Sequence, residues 1–487
     1  MMKSATKTGF ASLAILCGLG WLVVACPASL DDRCADGACV SAATQSEAGA
    51  TDGEAGTDAP VTDPCVGNPT ALDCLNNEDV ALFVRPNGND ADPAAGAKAS
   101  PFKTITAALG KITPKKRRIY VCTGAYFEDL SLNATHTGVS IFGGVDCAWN
   151  PDATAKPIIG ASANPLKIDG VNGLAMADVA VVAKDAAKGS SIAAFVFGSD
   201  VSFNRVRLAA GTGAKGDDGI RTDFVLPTDL NGIDGTAGGA QKLVNCPGGL
   251  QTVGGKGGAS GGFDGASGSP GPDNKGTVLL CAGATPAGGG NGAVGVSPTP
   301  AAGASTLGEL TAQGWQPTSG HDGMNGGPGQ GGGGGAGLGG GTGGGGGAGG
   351  CGGIGGGGGA GGGASVALVS FQSSVHVTAS VLQAKDAGPG GAGANGQAGA
   401  TAGGAGGSKT TATTACNGGA GGAGGTGASG GGGAGGISAG ILSKGSKPVL
   451  DDATSKTIVF GAKGGAGGAA GQQLGVVGAA QAVFELP

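Results

Sequence analysis

The chain reads as all-β: short strands stacked as the rungs of a solenoid, a helix over one end, and long glycine-rich stretches inserted between rungs. Three observations predict this. Leu174 to Gly189 aligns without a gap on Val201 to Gly216, one 27-residue step later, so a strand-sized unit repeats. The unit returns as Val375 to Ala387 and more loosely as Thr457 to Gly467, with equivalent alanines at Ala183, Ala210, Ala384 and Ala462 and steps of 27, 174 and 78 residues. Glycine supplies 113 of the 487 residues and aromatics only 4%, and the glycine is concentrated inside the two long steps. That composition is neither collagen nor an ordinary globular domain.

At the start, Lys3 and Lys7 precede an apolar run from Phe10 to Ala25, the pattern of an export signal. The run ends Val23, Val24, Ala25, Cys26, which resembles a bacterial lipobox. The resemblance implies a lipoprotein signal peptide over 1–25 and a diacylated, N-acylated Cys26, two or more chains being enough for stable anchoring. Pro27 in place of an aspartate implies outer-membrane sorting. A plain signal peptide or an N-terminal transmembrane helix is the competing reading. Residues 26–78 read as a cysteine-containing acidic tether, because 40–64 carries Glu47, Asp52, Glu54, Asp58 and Asp63 with no lysine or arginine, against a net charge of −6 for the whole chain. The remainder is near neutral, so nucleic acid is not an implied partner.

Setting Cys17 and Cys26 aside leaves ten cysteines, an even number in an exported chain, and disulfides are the expectation. The candidates are Cys34, Cys39, Cys65, Cys74, Cys122, Cys147, Cys246, Cys281, Cys351 and Cys416. Neighbouring pairs are plausible (34 with 39, 65 with 74, 122 with 147, 246 with 281, 351 with 416), although sequence alone does not fix the connectivity. No Cys-x-x-Cys occurs and histidines number three, so no metal site and no cofactor are expected.

The folded part is expected from 79, with N-terminal rungs and a cap helix over 79–210. Ala81 to Gly110 is a strand, an Asn-Gly and Asp-rich turn, then a helix with Ser100 as N-cap, Pro101 at its first position, and Ile105, Ala108 and Leu109 on one face. The string P-N-G-N-D, a spacer, then S-P-F-K-T-I-x-x-A-L resembles the entry of the pectate-lyase-like right-handed parallel β-helix family, many members of which are known as a domain of unknown function. The resemblance covers roughly 81–150 and implies a right-handed coil with the helix covering its open end. From Arg118 to Trp149, Ile119, Val121, Leu130, Leu132, Val139 and Ile141 alternate with other residues as short half-buried strands. Val201, Phe203, Val206 and Leu208 are inward candidates, followed by Val375 and Val377 in a rung over 364–387. C-terminal rungs occupy 437–487 and end in Ala480 to Leu486.

The insertions, 211–363 and 388–436, lack the side chains for a packed core, and ordering glycine costs more backbone entropy than ordering any other residue. Partial disorder is one expectation. Polyglycine-II-like helices of three residues per turn, bonding laterally, are the other. In composition the blocks resemble the polymorphic glycine-rich (PGRS-like) repeat proteins of bacterial surfaces.

Chemistry is hard to find. Ser260 and Ser429 satisfy G-x-S-x-G without a preceding strand, a pattern that glycine-rich sequence produces by chance. His136 lies in a turn, His321 in a glycine block, and His376 between Val375 and Val377, hence outward. Enzymes of the pectate-lyase-like fold use clustered aspartates for calcium and an arginine or lysine base, so Asp146, Asp169, Asp178, Asp185 and Asp200 with Arg205 and Arg207 need checking. Asp178 and Arg205 occupy equivalent positions of successive rungs and are expected to form a cross-strand ion pair. Asp217-Asp218 and Asp451-Asp452 read as turn residues, and Lys115 to Arg118 as a solvated basic turn. No catalytic residue is assigned.

The sequence therefore points to a bacterial outer-membrane, lipid-anchored cell-surface protein. Its expected role is non-catalytic, in adhesion, envelope structure or extracellular polysaccharide binding, with the membrane and polysaccharide or envelope proteins as partners. The alternative is a carbohydrate-active lyase or hydrolase on the same coil.

Overall fold

A computed structural model describes residues 65, 68–154, 156–283, 287–410, 414–469 and 471–487. The signal segment, Cys26, Cys34, Cys39 and the acidic stretch 40–64 lie outside the described residues. No described helix is long and apolar enough to cross a membrane.

Three parallel sheets dominate. The seven-stranded sheet runs Ala81–Val84, Arg118–Val121, Ser140–Phe142, Leu174–Ala177, Asp200–Asn204, Ser374–Thr378 and Val449–Leu450. The five-stranded sheet runs Ala125–Tyr126, Ile158–Ile159, Ala180–Val182, Arg207–Ala209 and Val381–Gln383. The six-stranded sheet runs Leu130–Leu132, Leu166–Asp169, Ser191–Phe197, Ser365–Phe371, Ser438–Lys444 and Ala480–Leu486. From Arg118 onward the chain visits them in the fixed order seven, five, six, so each rung stacks on the one before. Val201 pairs with Leu174 on one side and Val375 on the other. Between Val381–Gln383 and the next rung the bridge joins Gln383 to Val459, a step of 76 rather than the 78 read from the alanines. Phe460 therefore takes the place assigned to Ala462.

The inward side chains form one long apolar stack that includes Ile119, Val121, Leu130, Leu132, Val139, Ile141, Val201, Phe203, Val206, Leu208, Val375 and Val377. Turns between sheets are tight. Asp178, Arg205 and Ala379 hold φ of 56, 54 and 48° at successive rungs where the seven-stranded sheet gives way to the five-stranded one. Such a one-residue left-handed corner costs a non-glycine residue about 1–2 kcal/mol. Buried serines satisfy the backbone at corners: the Ser380 hydroxyl accepts the Val206 N–H at 3.0 Å, and the Ser199 N–H is taken by Ser373 Oγ at 3.1 Å.

The first rung is covered by the helix Ile105–Leu109, with Ile105, Ala108 and Leu109 buried as the sequence pattern requires. Its N-cap is Thr104, whose side chain accepts from Ala107 N–H, and not Ser100. Pro101 and Phe102 stay extended because Phe102 bridges to Val84, so Ser100 donates its hydroxyl to Asp92 instead. The packed region also begins before 79. Leu75 is buried against Phe83 and Tyr120, and Cys65–Cys74 closes a loop there, so the end of the stretch read as tether belongs to the body.

All three glycine-rich excursions leave after the five-stranded sheet and return into the six-stranded one, the third being 461–479, inside the stretch read as C-terminal rungs. A serine ladder knits the exits to the returns. Gly211 N–H donates to Ser191 Oγ, Ser365 Oγ donates to Gly211 O, Lys385 N–H donates to Ser365 Oγ, Ser438 Oγ donates to Lys385 O, and Gly461 N–H donates to Ser438 Oγ, all within 2.6–2.8 Å.

Within the excursions the chain forms long extended rows. Row 343–363 receives N–H groups of an antiparallel row at every third residue, Gly323 to Gly356 O, Gly326 to Gly353 O and Gly329 to Gly350 O, each 2.8 Å. It donates to a parallel row, Gly350 to Gly422 O and Gly353 to Gly425 O. A third neighbour donates from Gln397 to Ile354 O and Ala400 to Cys351 O, and a fourth accepts from Ala348 at Leu230 O and from Ala360 at Asp217 O. Bonds that recur every third residue and change direction between successive residues belong to extended helices with three residues per turn. Side chains survive on one face: Thr342, Ala348, Cys351, Ile354 and Ala360 fall at multiples of three in an otherwise all-glycine run. On the other faces a Cβ has no room, since one added at Gly353 would lie 1.9 Å from Gln397 O. The rows also inherit the coil's register. Row 211–235 donates to 386–408 through Gly213 to Asp386 O, Gly216 to Pro389 O and Gly232 to Ala405 O, continuing the step by which Arg207 pairs with Val381.

Cys122–Cys147 joins the two residues expected of it. In the lobe formed by the glycine-rich excursions the bonds are Cys246–Cys351 and Cys281–Cys416, correcting the neighbouring pairs 246 with 281 and 351 with 416. The row geometry excludes the latter: Cys416 O accepts from Gly344, seven residues along the row from Cys351, which is roughly 22 Å at 3.1 Å per residue.

Candidate functional site

The strongest constellation expected from sequence is a corner. Arg205 donates from Nε to Asp178 Oδ1 at 2.8 Å and from Nη2 to Asp178 Oδ2 at 2.7 Å, a two-pronged pair with side-chain exposures of 36% and 7%. Both residues are left-handed corners, so the side chains leave successive rungs in the same direction. Lys156 reaches in to donate to Arg205 O. Burial holds the Lys156 ammonium below its ordinary pKa, partly offset by Asp178, while the Asp178 hydrogen bonds push the Arg205 guanidinium up. Both Asp178 oxygens are thus engaged by one guanidinium in a buried corner.

The other acids are dispersed, and most are occupied. Asp146 accepts from Ala148 and Asn150 N–H and from Asn150 Nδ2, and the Asn150 side chain is the main reason its carboxyl sits below the usual range. Asp185 accepts Thr212 N–H at 2.8 Å, the chief cause of its lowered pKa, and pairs with Lys385 at 3.0 Å. Asp169 pairs with Lys167 at 3.6 Å, and Asp200 opens the strand Asp200–Asn204. Arg207 is engaged by Gln383 Oε1 through Nε and Nη2. Asp217 and Asp218 stand in a glycine row rather than a turn: Asp218 accepts from Ala392 N–H in the next row and from Lys215, and Asp217 pairs with Lys188. Asp451 caps the short helix Asp452–Ser455 and also accepts from Ala379 N–H.

The nucleophile candidates stand apart. Ser260 is exposed in a turn, and Ser429 is half-buried within a row. His136 Nδ1 accepts from Asn133 N–H, His321 is exposed in a row, and His376 is exposed on its strand. The basic run is tied down, Lys115 to Asp79 at 3.9 Å and Arg117 to Thr137 O. Among the described residues no group of three or more His, Cys, Asp or Glu is placed to hold a metal ion.

A cleft that sequence reading missed lies on the outer face of the six-stranded sheet. The hairpin Gly308–Thr311/Gly314–Pro317, an island of ordinary residues inside the first glycine-rich insertion, folds back onto that face. Leu310 and Trp315 pack there with Ile192, Phe195, Val366, Val369 and Leu442 as a second apolar cluster. Beside it is a cavity of about 300 Å³ lined by Asn164, Lys167, Lys188, Ser190, Gln313 and Trp315 among others. Trp315 is 5% exposed and its indole N–H meets no acceptor among the described residues. An orphaned buried donor of this kind costs about 1–3 kcal/mol. The alternation of Glu309, Leu310, Thr311 with Trp315 and Gln316 around an Ala312-Gln313 turn was the available signal.

No protein-family model matches the chain, and no curated protein matches it. Among solved structures it is similar to a rhamnogalacturonan lyase, at 14% identity over 28% of this chain and 39% of that one, with a TM-score of 0.17.

Proposed function

We propose that this chain is a non-catalytic, lipid-anchored protein of a bacterial outer-membrane surface, built on a closed right-handed parallel β-helix with a polyglycine-II-like lobe, and that it binds extracellular polysaccharide. One observation carries the reading. The acids and bases checked as lyase or hydrolase groups are dispersed, and most are held as corner pairs or backbone caps, whereas the Trp315 cleft offers a buried unpaired donor beside amide, hydroxyl and ammonium groups. A cleft that joins an apolar wall to a few convergent polar groups suits an orienting, hydrogen-bonding ligand. Lys167 and Lys188 are substantially exposed and hold only the solvent-exposed carboxylates of Asp169 and Asp217, weak pairs that an acidic polysaccharide would displace. The Cys26 anchor places such binding at a membrane surface.

The test passes the purified full chain over an immobilised polysaccharide panel, recording retention and the release of unsaturated or reducing ends with and without calcium. Retention on acidic polymers without product, weakened at least tenfold by Lys167→Ala with Lys188→Ala, is the expected result. Product formation overturns the non-catalytic reading, and absence of retention overturns the binding reading.

A further inference from the structure

We propose that the free edge of Ala480–Leu486 pairs antiparallel with the same strand of a second copy, joining the six-stranded sheets of two molecules about a two-fold axis. The ends of the stack differ. Over the first rungs the helix Ile105–Leu109 closes the core. At the opposite end Ala480–Leu486 bonds along its length to Ser438–Lys444, and no described strand lies on its other side. Alternate residues of a parallel strand turn both N–H and C=O toward one neighbour, so roughly half of this seven-residue strand presents free pairs. Apolar side chains of the same rung stand open beside it: Val449 is 57%, Val459 54% and Phe460 41% exposed.

Edges of this kind are ordinarily guarded by lysine, proline or a bulge. Here the strand's one charged residue, Glu485, is already held by Lys447. Self-complementarity selects a second copy as the occupant. Val483 packs against the inner core, Phe484 and Leu486 against the outer cluster, and Gln481 is in register with the outer-cluster residue Ala439. An antiparallel pairing centred between Ala482 and Val483 sets Gln481 opposite Phe484, Ala482 opposite Val483 and Ala479 opposite Leu486. Outer-facing Gln481 then meets outer-facing Phe484, and Glu485 faces Ala480 and no like charge. A two-fold contact needs the same patch on both molecules, and this strand supplies it.

Native mass spectrometry of the full chain released from detergent should show a species at twice the monomer mass. Mild oxidation of the double variant Gln481→Cys with Phe484→Cys should then give a covalent dimer. Either single variant should give at least tenfold less, because like positions are three residues apart across the axis. A monomer at every concentration overturns the proposal. So does a dimer in which the double variant links no better than the singles, since the contact then lies elsewhere. The native mass of the unaltered chain decides the question even if a cysteine variant fails to fold.

Discussion

In the coil, Phe203, Val375 and Val377 fill the space between sheets, and backbone bonds run from rung to rung along one axis. In row 343–363 the space between chains is filled by neighbouring backbones, and successive residues bond in different directions. Both regions satisfy their buried N–H and C=O groups, as folded chains must. They differ in what remains after that. Each inward Val, Leu or Ile of the coil adds roughly 1.5–3 kcal/mol of burial. The rows have almost no side chains to bury, and a net gain of roughly 0.5–1.5 kcal/mol per hydrogen bond must offset glycine's excess entropy of roughly 0.5–1 kcal/mol per residue. Near such a balance covalent staples decide the outcome, and two of the four described disulfides end in the rows.

The largest expected effect tests that dependence directly. Replacing Cys246 and Cys351 by alanine opens a 105-residue separation, worth about 4.7 kcal/mol on the chain-entropy estimate, against about 3.5 kcal/mol for the 25-residue Cys122–Cys147 separation in the coil. Hydrogen exchange should show the rows losing protection while the sheets keep theirs. Equal loss in both regions would mean that they unfold as one unit. Next in size is Gly353→Ala, which drives a Cβ to 1.9 Å from Gln397 O and should cost roughly 1–3 kcal/mol or more, read as a fall in the denaturation midpoint. Ala348→Gly, on the face that tolerates side chains, should cost less than about 1 kcal/mol, and comparable losses would refute the three-faced row.

Within the coil, Asp178→Ala strands Arg205 at a half-exposed corner. About 1–3 kcal/mol should be lost, and Arg205→Ala should cost at least as much, because it leaves the more deeply buried Asp178 carboxylate without its guanidinium partner. Acid should act more gently and at row ends first. Asp185 and Asp218 are both held below the ordinary value of 3.8, Asp185 chiefly by Thr212 N–H and Asp218 chiefly by Lys215. A depressed folded pKa contributes stability that is fully present above the unfolded value and is lost as pH falls through the lower folded one. Protection of Thr212 and Ala392 amides should therefore hold from pH 8 to 5 and weaken only below about pH 4. The smallest effect is a gain: Ala379→Gly relieves a φ of 48° and should leave stability unchanged or raise it by up to about 1 kcal/mol in a thermal melt.

How legible all this was depends on whether position along the chain carries a side chain. The rungs were readable because Val201, Phe203, Val375 and Val377 must alternate to reach one core, and the pairings at Asp178 and Arg205 followed from a 27-residue step. The disulfides of the lobe were not readable, because nearest-neighbour reasoning follows distance along the chain, whereas the partners are set by which rows lie side by side and at what offset: rows 343–363 and 416–436 run in parallel with Cys416 level with Gly344 and not with Cys351. The Thr342, Ala348, Cys351, Ile354, Ala360 spacing was open to view and marks the tolerated face. The helix start was misplaced by four residues because Ser100-Pro101 has the chemistry of a cap, yet Phe102 is drawn into a bridge with Val84. Trp315 was hidden by its setting, one aromatic in a block whose composition discourages any expectation of a core.

The glycine-only faces also constrain how such a chain can change length. A row keeps its tolerated positions aligned with its neighbours only while they recur at every third residue, so losing or gaining three residues slides the row by one bond and preserves its phase. A change of one or two residues would rotate Ala348, Cys351 and Ile354 onto faces where neighbouring carbonyls leave no space. The lobe is thereby a structure whose size can drift in steps of three residues while its interior chemistry stays the same.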